Sequence, residues 1–195
     1  MNNNEQIPDD LQWMLAFCAK PRDRKDMLDA PFTQGDWTYA TDGIVGVRIS
    51  RKILLLGTQA PDLGKVFAAQ FAAQSFYPAP TIHLPDHKLT VMRCDHCYDG
   101  KHHDCPDCEC ECSNCNGTGR ETRDNDSRAS VTFPFGSFQR SIVRRVWRLP
   151  GLKIAADVLA PAALPFTFDG GGEGLMMPQM TPYSDNIVVE MAVAA

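Results

Sequence analysis

No apolar run in the 195-residue chain is long enough to cross a membrane. The longest, Ile53-Leu54-Leu55-Leu56 and the stretch 159–165, fall far short of the ~20 residues a spanning helix needs. The opening MNNNEQIPDD lacks the basic-then-apolar order of a secretory leader, so a cytoplasmic protein with no membrane partner is expected. A phosphate-binding loop is missing as well. Gly170-Gly171-Gly172 is not followed by Lys-Ser or Lys-Thr and reads as a turn. With no Ser-His-Asp order and no paired-acid constellation, enzymatic activity is not expected. Internal repeats of solenoid period are absent too. Acidic residues are lacking from 127 to 156, a stretch that holds six basic ones. Cysteine is scarce outside one segment: seven of the eight lie between Cys94 and Cys115, and Cys18 stands alone.

What is present suits a folded protein. Hydrophobic residues make up 44% and charged residues 22%, enough apolar material for a core and too little charge for disorder throughout. The net charge of −5 excludes a wholesale coat for nucleic acid. It is unevenly spread: residues 93–128 carry five basic and nine acidic groups, a net of −4, and the remainder is almost neutral.

Along the chain, Leu11, Met14, Leu15 and Cys18 follow helical spacing behind a capping Asp. Asp42-Gly43 between the strand-like runs 36–41 and 44–49 signals a hairpin, with Trp37, Tyr39 and Thr41 on one face. Ile53 to Leu56 reads as a buried strand. A helix is expected from Asp62 to Ser75, turning Leu63, Val66, Phe67 and Phe71 inward. Short strands are expected near 80–84, 88–93 and 130–133. A second helix, Phe138 to Leu149, has Phe138, Ile142, Val146 and Leu149 on one side. Strands at 152–159, 164–169 and 173–177 close the fold, and 187–189 is either a last strand or part of a loose end. The class is α+β, antiparallel sheets with two or three helices. The expected division is a discontinuous domain of 1–92 and 129–182, an insertion at 93–128, and a tail from 183 to 195.

The insertion holds the strongest chemical signal. Cys94 and Cys97, Cys105 and Cys108, and Cys112 and Cys115 are three CxxC pairs, with Cys110 between them and His96, His102 and His103 nearby. A CxxC turn brings two thiolates to one tetrahedral ion, and two such turns complete a closed site. Eight donors fit two zinc ions. The nested pairing places Cys94, Cys97, Cys112 and Cys115 around one, and Cys105, Cys108, Cys110 and His103 around the other. A redox role for these pairs needs an electropositive setting, and their neighbours are acidic. Stabilisation of a long loop is the plainest use of such a site.

Two resemblances follow. CSNCNGTGR resembles the CxxCxGxG repeat of DnaJ-type co-chaperones, and CDHCYDG is a looser copy; no HPD motif accompanies them, so co-chaperone function is not implied. KPRDRKDMLDAPFTQGDWTYATDGIVGVRIS resembles the DNA sliding clamp family, bacterial β-clamp type, through Ala40-Thr41-Asp42-Gly43 and the preceding Arg24 to Leu28. Pro61 to Ala73 is similar in position to the clamp's second helix, and LPGLKI, PFTF and Leu175-Met176-Met177-Pro178 resemble its closing strands. The matches span more than half the chain in the family's order. They differ from it in having room for about one domain, in the cysteine-rich insertion, and in a helix at 61–75 with a single basic residue.

The clamp resemblance implies a non-catalytic, DNA-associated accessory protein that would need to self-assemble to encircle a duplex. Arg140, Arg144 and Arg148 repeat every four residues, with Arg145 beside them and Lys153 after, and no acid lies within that helix. They are the expected contacts to double-stranded DNA. The alternative for the arginines is that acids elsewhere in the fold meet them. The alternative for the chain is a protein-binding inhibitor or adaptor of viral origin, whose acidic knuckle occupies a basic groove of a replication or defence complex.

Overall fold

The computed structural model describes residues 9–19, 28–51, 62–72, 74–94, 97–98, 101–102, 112, 115, 117–126, 128–155 and 163–189. The expected strand at 53–56 lies outside them. The class is α+β, and its strands are more numerous and shorter than the sequence suggests.

The chain enters through a 3-10 helix, Asp9–Phe17. Leu11, Met14 and Phe17 are buried, whereas Leu15 is 40% exposed. Three residues per turn put every third side chain on one face, so Leu15 leaves the face that α-helical spacing assigned it. Strands β1 (Phe32–Gln34), β2 (Trp37–Thr41) and β3 (Val45–Ile49) follow as an antiparallel meander. The hairpin between β2 and β3 is fixed by Asp42, whose Oδ1 accepts from the amides of Ile44 (2.9 Å) and Val45 (3.0 Å).

Helix α1 runs from Leu63 to Phe71, shorter than expected. Its first amides, of Leu63 and Gly64, donate to Gln34 Oε1 at the end of β1 (3.2 and 3.3 Å). Phe67 is its buried residue, and Val66, assigned inward from the sequence, is 47% exposed. Strand β4 (Phe76–Pro78) comes next, and residues 80–84 form no strand. Pro78, Pro80 and the following segment instead lead to a ribbon of β5 (Leu89–Arg93), the short strands β6 (Cys97–Tyr98) and β7 (Lys101–His102), and β8 (Arg120–Asp124).

Beyond the ribbon come β9 (Ala129–Phe133), β10 (Gly136–Gln139) and helix α2 (Arg140–Val146). Phe138, expected on the helix, sits on β10 and is buried all the same. Strands β11 (Lys153–Ala155), β12 (Leu164–Phe168), β13 (Gly172–Met176) and β14 (Asp185–Val188) complete the chain. The tail thus supplies a strand.

The main sheet has seven strands, antiparallel throughout, in the order β1-β2-β3-β13-β12-β11-β4. A smaller sheet, β10-β9-β14, includes a parallel pairing of β14 with β9. The main core joins Met14 and Phe17, Ala40 and Val47, Phe138, Ile142 and Val146, and Phe166 and Met176. The opposite face of the large sheet carries a second cluster, Phe32, Tyr39, Phe67 and Leu175. Cover on both faces explains why Thr38 to Thr41 are all buried although alternate residues point opposite ways. Each large apolar side chain buried here is worth about 1.5–3 kcal/mol.

Close packing also accounts for the glycines of β13. Gly174 lies opposite Phe166 on β12, and a Cβ at Gly174 would stand 2.0 Å from that ring. No described helix is long and apolar enough to cross a membrane.

Candidate metal centre

The β5–β8 ribbon carries the cysteines. Its ladder runs from Leu89 opposite Asp124 to Arg93 opposite Arg120, and all five β5 residues are exposed. At its base, the Lys88 amide donates to Asn125 Oδ1 (2.9 Å) and the Asn125 amide to the Lys88 carbonyl (3.1 Å). At its tip, the Cys94 amide donates to the Gly119 carbonyl (2.9 Å), so the first cysteine leaves the ladder in a fixed direction. Cys97 opens the small β6–β7 hairpin, opposite His102.

The second pair sits in a tight turn. The Cys115 and Gly117 amides both donate to the Cys112 carbonyl (3.3 and 3.1 Å), and the Thr118 amide donates to the Cys115 carbonyl (3.1 Å). Gly117 and Gly119 take φ of 72° and 66°, a left-handed backbone that side chains disfavour. This is the physical use of the glycines in CSNCNGTG.

The four thiols converge. Their sulfurs all lie within 4.8 Å of one another, with Cys94 Sγ 3.8 Å from Cys112 Sγ and Cys97 Sγ 3.6 Å from Cys115 Sγ. A tetrahedral ion with metal–sulfur bonds of ~2.3 Å has sulfur–sulfur edges of ~3.8 Å, so the spacing matches one ion. It is far beyond the ~2.05 Å of a disulfide. The four are at most 6% exposed, and they form a buried cluster of their own. Among the described residues, this lobe has no other core.

Burial pushes the Cys115 thiol up, but hydrogen bonds involving Cys97, the Gly119 backbone, Cys112 and Cys94 outweigh it and bring its pKa down to about 7. A thiol that ionises near neutrality is suited to be a metal ligand. The geometry brings together the four cysteines that the nested pairing grouped, and they could hold a metal ion. His103, Cys105, Cys108 and Cys110, and with them the second ion, lie outside the described residues.

The arginines of α2 are placed differently from expectation. Arg140 is only 2% exposed, its guanidinium 2.6 Å from Asp185 Oδ1 and 3.8 Å from Asp126 Oδ1. It cannot present its charge to a phosphate, because the residue lies at the junction of β10 and α2, facing the core. Arg144 Nε donates to Asp126 Oδ2 and its other nitrogen to the Pro85 carbonyl. Arg145 donates to Asp42 Oδ2 (2.7 Å) and to the Ala16 carbonyl (2.8 Å). Arg148 and Lys153 remain exposed. There is thus no continuous basic stripe: Asp42, Asp126 and Asp185, none of them singled out from the sequence as arginine partners, take up three of the four arginines. The only signal for them in the sequence is that the acid-free stretch must find its counter-charges elsewhere.

Fold and site together define an α+β protein with a four-cysteine candidate metal centre at the tip of a projecting β-ribbon. Compared with known families, with curated proteins and with solved structures, the chain gives no match in any of the three.

Proposed function

We propose that the chain is a non-catalytic interaction module in which Zn2+ closes the four-cysteine site and the acidic lobe around it docks on a basic protein surface. One observation carries this reading: the arginines of α2 are largely neutralised within the fold, Asp126 among their partners, while the segment 93–125 that the ribbon carries still holds four basic and eight acidic groups, a net of −4. Opposite charge steers such a lobe toward a cationic partner and away from phosphates. Four thiolates around a tetrahedral ion favour zinc and leave no open position for a water, which makes the ion structural. A second zinc on Cys105, Cys108, Cys110 and His103 is the matching expectation from the ligand count. The clamp resemblance gives the setting for a partner: a replication or defence complex that handles nucleic acid.

Native mass spectrometry reads zinc equivalents and subunit number together. Capture experiments then compare the intact protein with a variant in which Asp95, Asp99 and Asp107 are changed to Asn. The expected result is a cationic protein retained by the intact chain and released by the neutralised one, with no salt-sensitive binding of duplex DNA. Duplex binding that weakens when Arg148 and Lys153 become Glu would replace this reading with DNA contact.

A further inference from the structure

A cleft of about 610 Å3 opens between the 3-10 helix, the C-terminal end of α2 and the turn from β12 to β13. Its volume lies in the range of small-molecule sites. Three rings form the apolar wall: Trp13 stands edge-on to Phe17 (5.9 Å between centroids) and to Phe168 (5.5 Å). Phe17 and Phe168 are 2% and 8% exposed, so this wall is held by the core behind it. Three guanidiniums border the cleft, those of Arg51 just past the end of β3, Arg145 and Arg148. Arg145 is held by Asp42 and the Ala16 carbonyl. Arg148 lies three residues further along, is exposed, and has no side-chain partner among the described residues. Asp169 lies on the rim and bars a ligand with several negative charges.

We propose that this cleft binds a small amphipathic anion, its flat apolar body against Trp13, Phe17 and Phe168 and its single anionic head on Arg148. An exposed arginine beside a preformed aromatic wall supplies what such a ligand needs: apolar contact for the body and a charge-assisted hydrogen bond for the head. The site is separate from the cysteine lobe and does not depend on a metal.

The test uses two dyes of similar shape, anionic 1-anilinonaphthalene-8-sulfonate and neutral N-phenyl-1-naphthylamine, titrated into the full chain. The anionic dye is expected to saturate at one equivalent and to quench a component of tryptophan emission that is lost in Trp13→Phe. Arg148→Gln should weaken it about ten- to hundredfold, the usual effect of losing one charge-assisted bond. Arg148→Lys should restore most of the affinity, and the neutral dye should respond to neither change. Arg148 is on the surface, so both variants keep the wild-type unfolding curve. Failure of the anionic dye to saturate, or an equal loss for both dyes in Arg148→Gln, would overturn the proposal.

Discussion

Two cysteines of one chain show how environment sets the chemistry of a thiol. Cys18, directly after the 3-10 helix, is buried, and burial, followed by the negative charges of Asp29 and Asp42, pushes its pKa up to about 12, against a smaller lowering by the Thr41 backbone. Its folded value therefore lies above the ordinary 9.0, so the fold favours the neutral thiol. That contribution is complete below pH 9 and is lost as pH rises toward 12, at about 1.4 kcal/mol per pH unit. Between pH 9 and 11 the wild type should lose about 2–3 kcal/mol more unfolding free energy than Cys18→Ala, as read by urea titration at the two pH values. Equal losses would show that Cys18 is not held neutral. A second residue-scale prediction concerns Asp126, which is fully buried between Arg140 and Arg144. Removing one partner of a buried charge cluster leaves the others uncompensated. Asp126→Ala should cost about 3–5 kcal/mol, and the joint change Asp126→Leu with Arg140→Met should cost less. Chemical denaturation measures both.

At the scale of elements, the ribbon and the main sheet are stabilised by different means. The sheet is covered on both faces by apolar clusters, whereas every β5 residue is exposed and the lobe's one described buried cluster is four cysteines. A two-stranded ribbon is at best marginal by itself, and an ion held by the four cysteines, as proposed, would supply the order at its tip. Chelation should speed amide hydrogen exchange in residues 89–94 and 117–124 by at least about a hundredfold and leave β2, β3 and β12 protected. Exchange read by mass spectrometry decides it, and uniform loss of protection would mean that the lobe supports the frame. The sequence showed these elements unequally. The β2–β3 hairpin was legible because Asp42 organises it within three residues, and the cysteine grouping because CxxC spacing is itself the ligand geometry. The 3-10 helix was not distinguishable from an α-helix, since buried positions at Leu11 and Met14 satisfy both periods, and only exposed Leu15 and buried Phe17 separate them. The roles of the arginines were hidden for another reason. Asp42 lies far from Arg145 in the chain, and Asp185 far from Arg140, so their pairing exists only once β14 joins β9 and the hairpin meets α2.

Across the whole molecule, the cysteine lobe is an excursion from a frame that closes without it. None of the described residues from 89 to 124 belongs to either apolar cluster of the frame. The ties that seat the ribbon, Lys88 to Asn125 and Asp126 to Arg140 and Arg144, all lie outside 94–119. Arg93 and Arg120 are opposite one another at the end of the ladder, so an Asn-Gly link in place of 94–119 fits a two-residue hairpin turn. Shortening that loop lowers its closure entropy and removes no described member of either apolar cluster. The trimmed protein should therefore unfold in one cooperative step, with a midpoint within about 4 °C of the parent, roughly 1 kcal/mol at this size. It should also bind no zinc and lose the cationic partner, while still taking up the anionic dye at Trp13 and Arg148. Calorimetry on the trimmed and parent proteins gives the answer. A broad or absent transition would show that the lobe is part of the folding unit, and the acidic knuckle would then have a structural duty besides the proposed recognition.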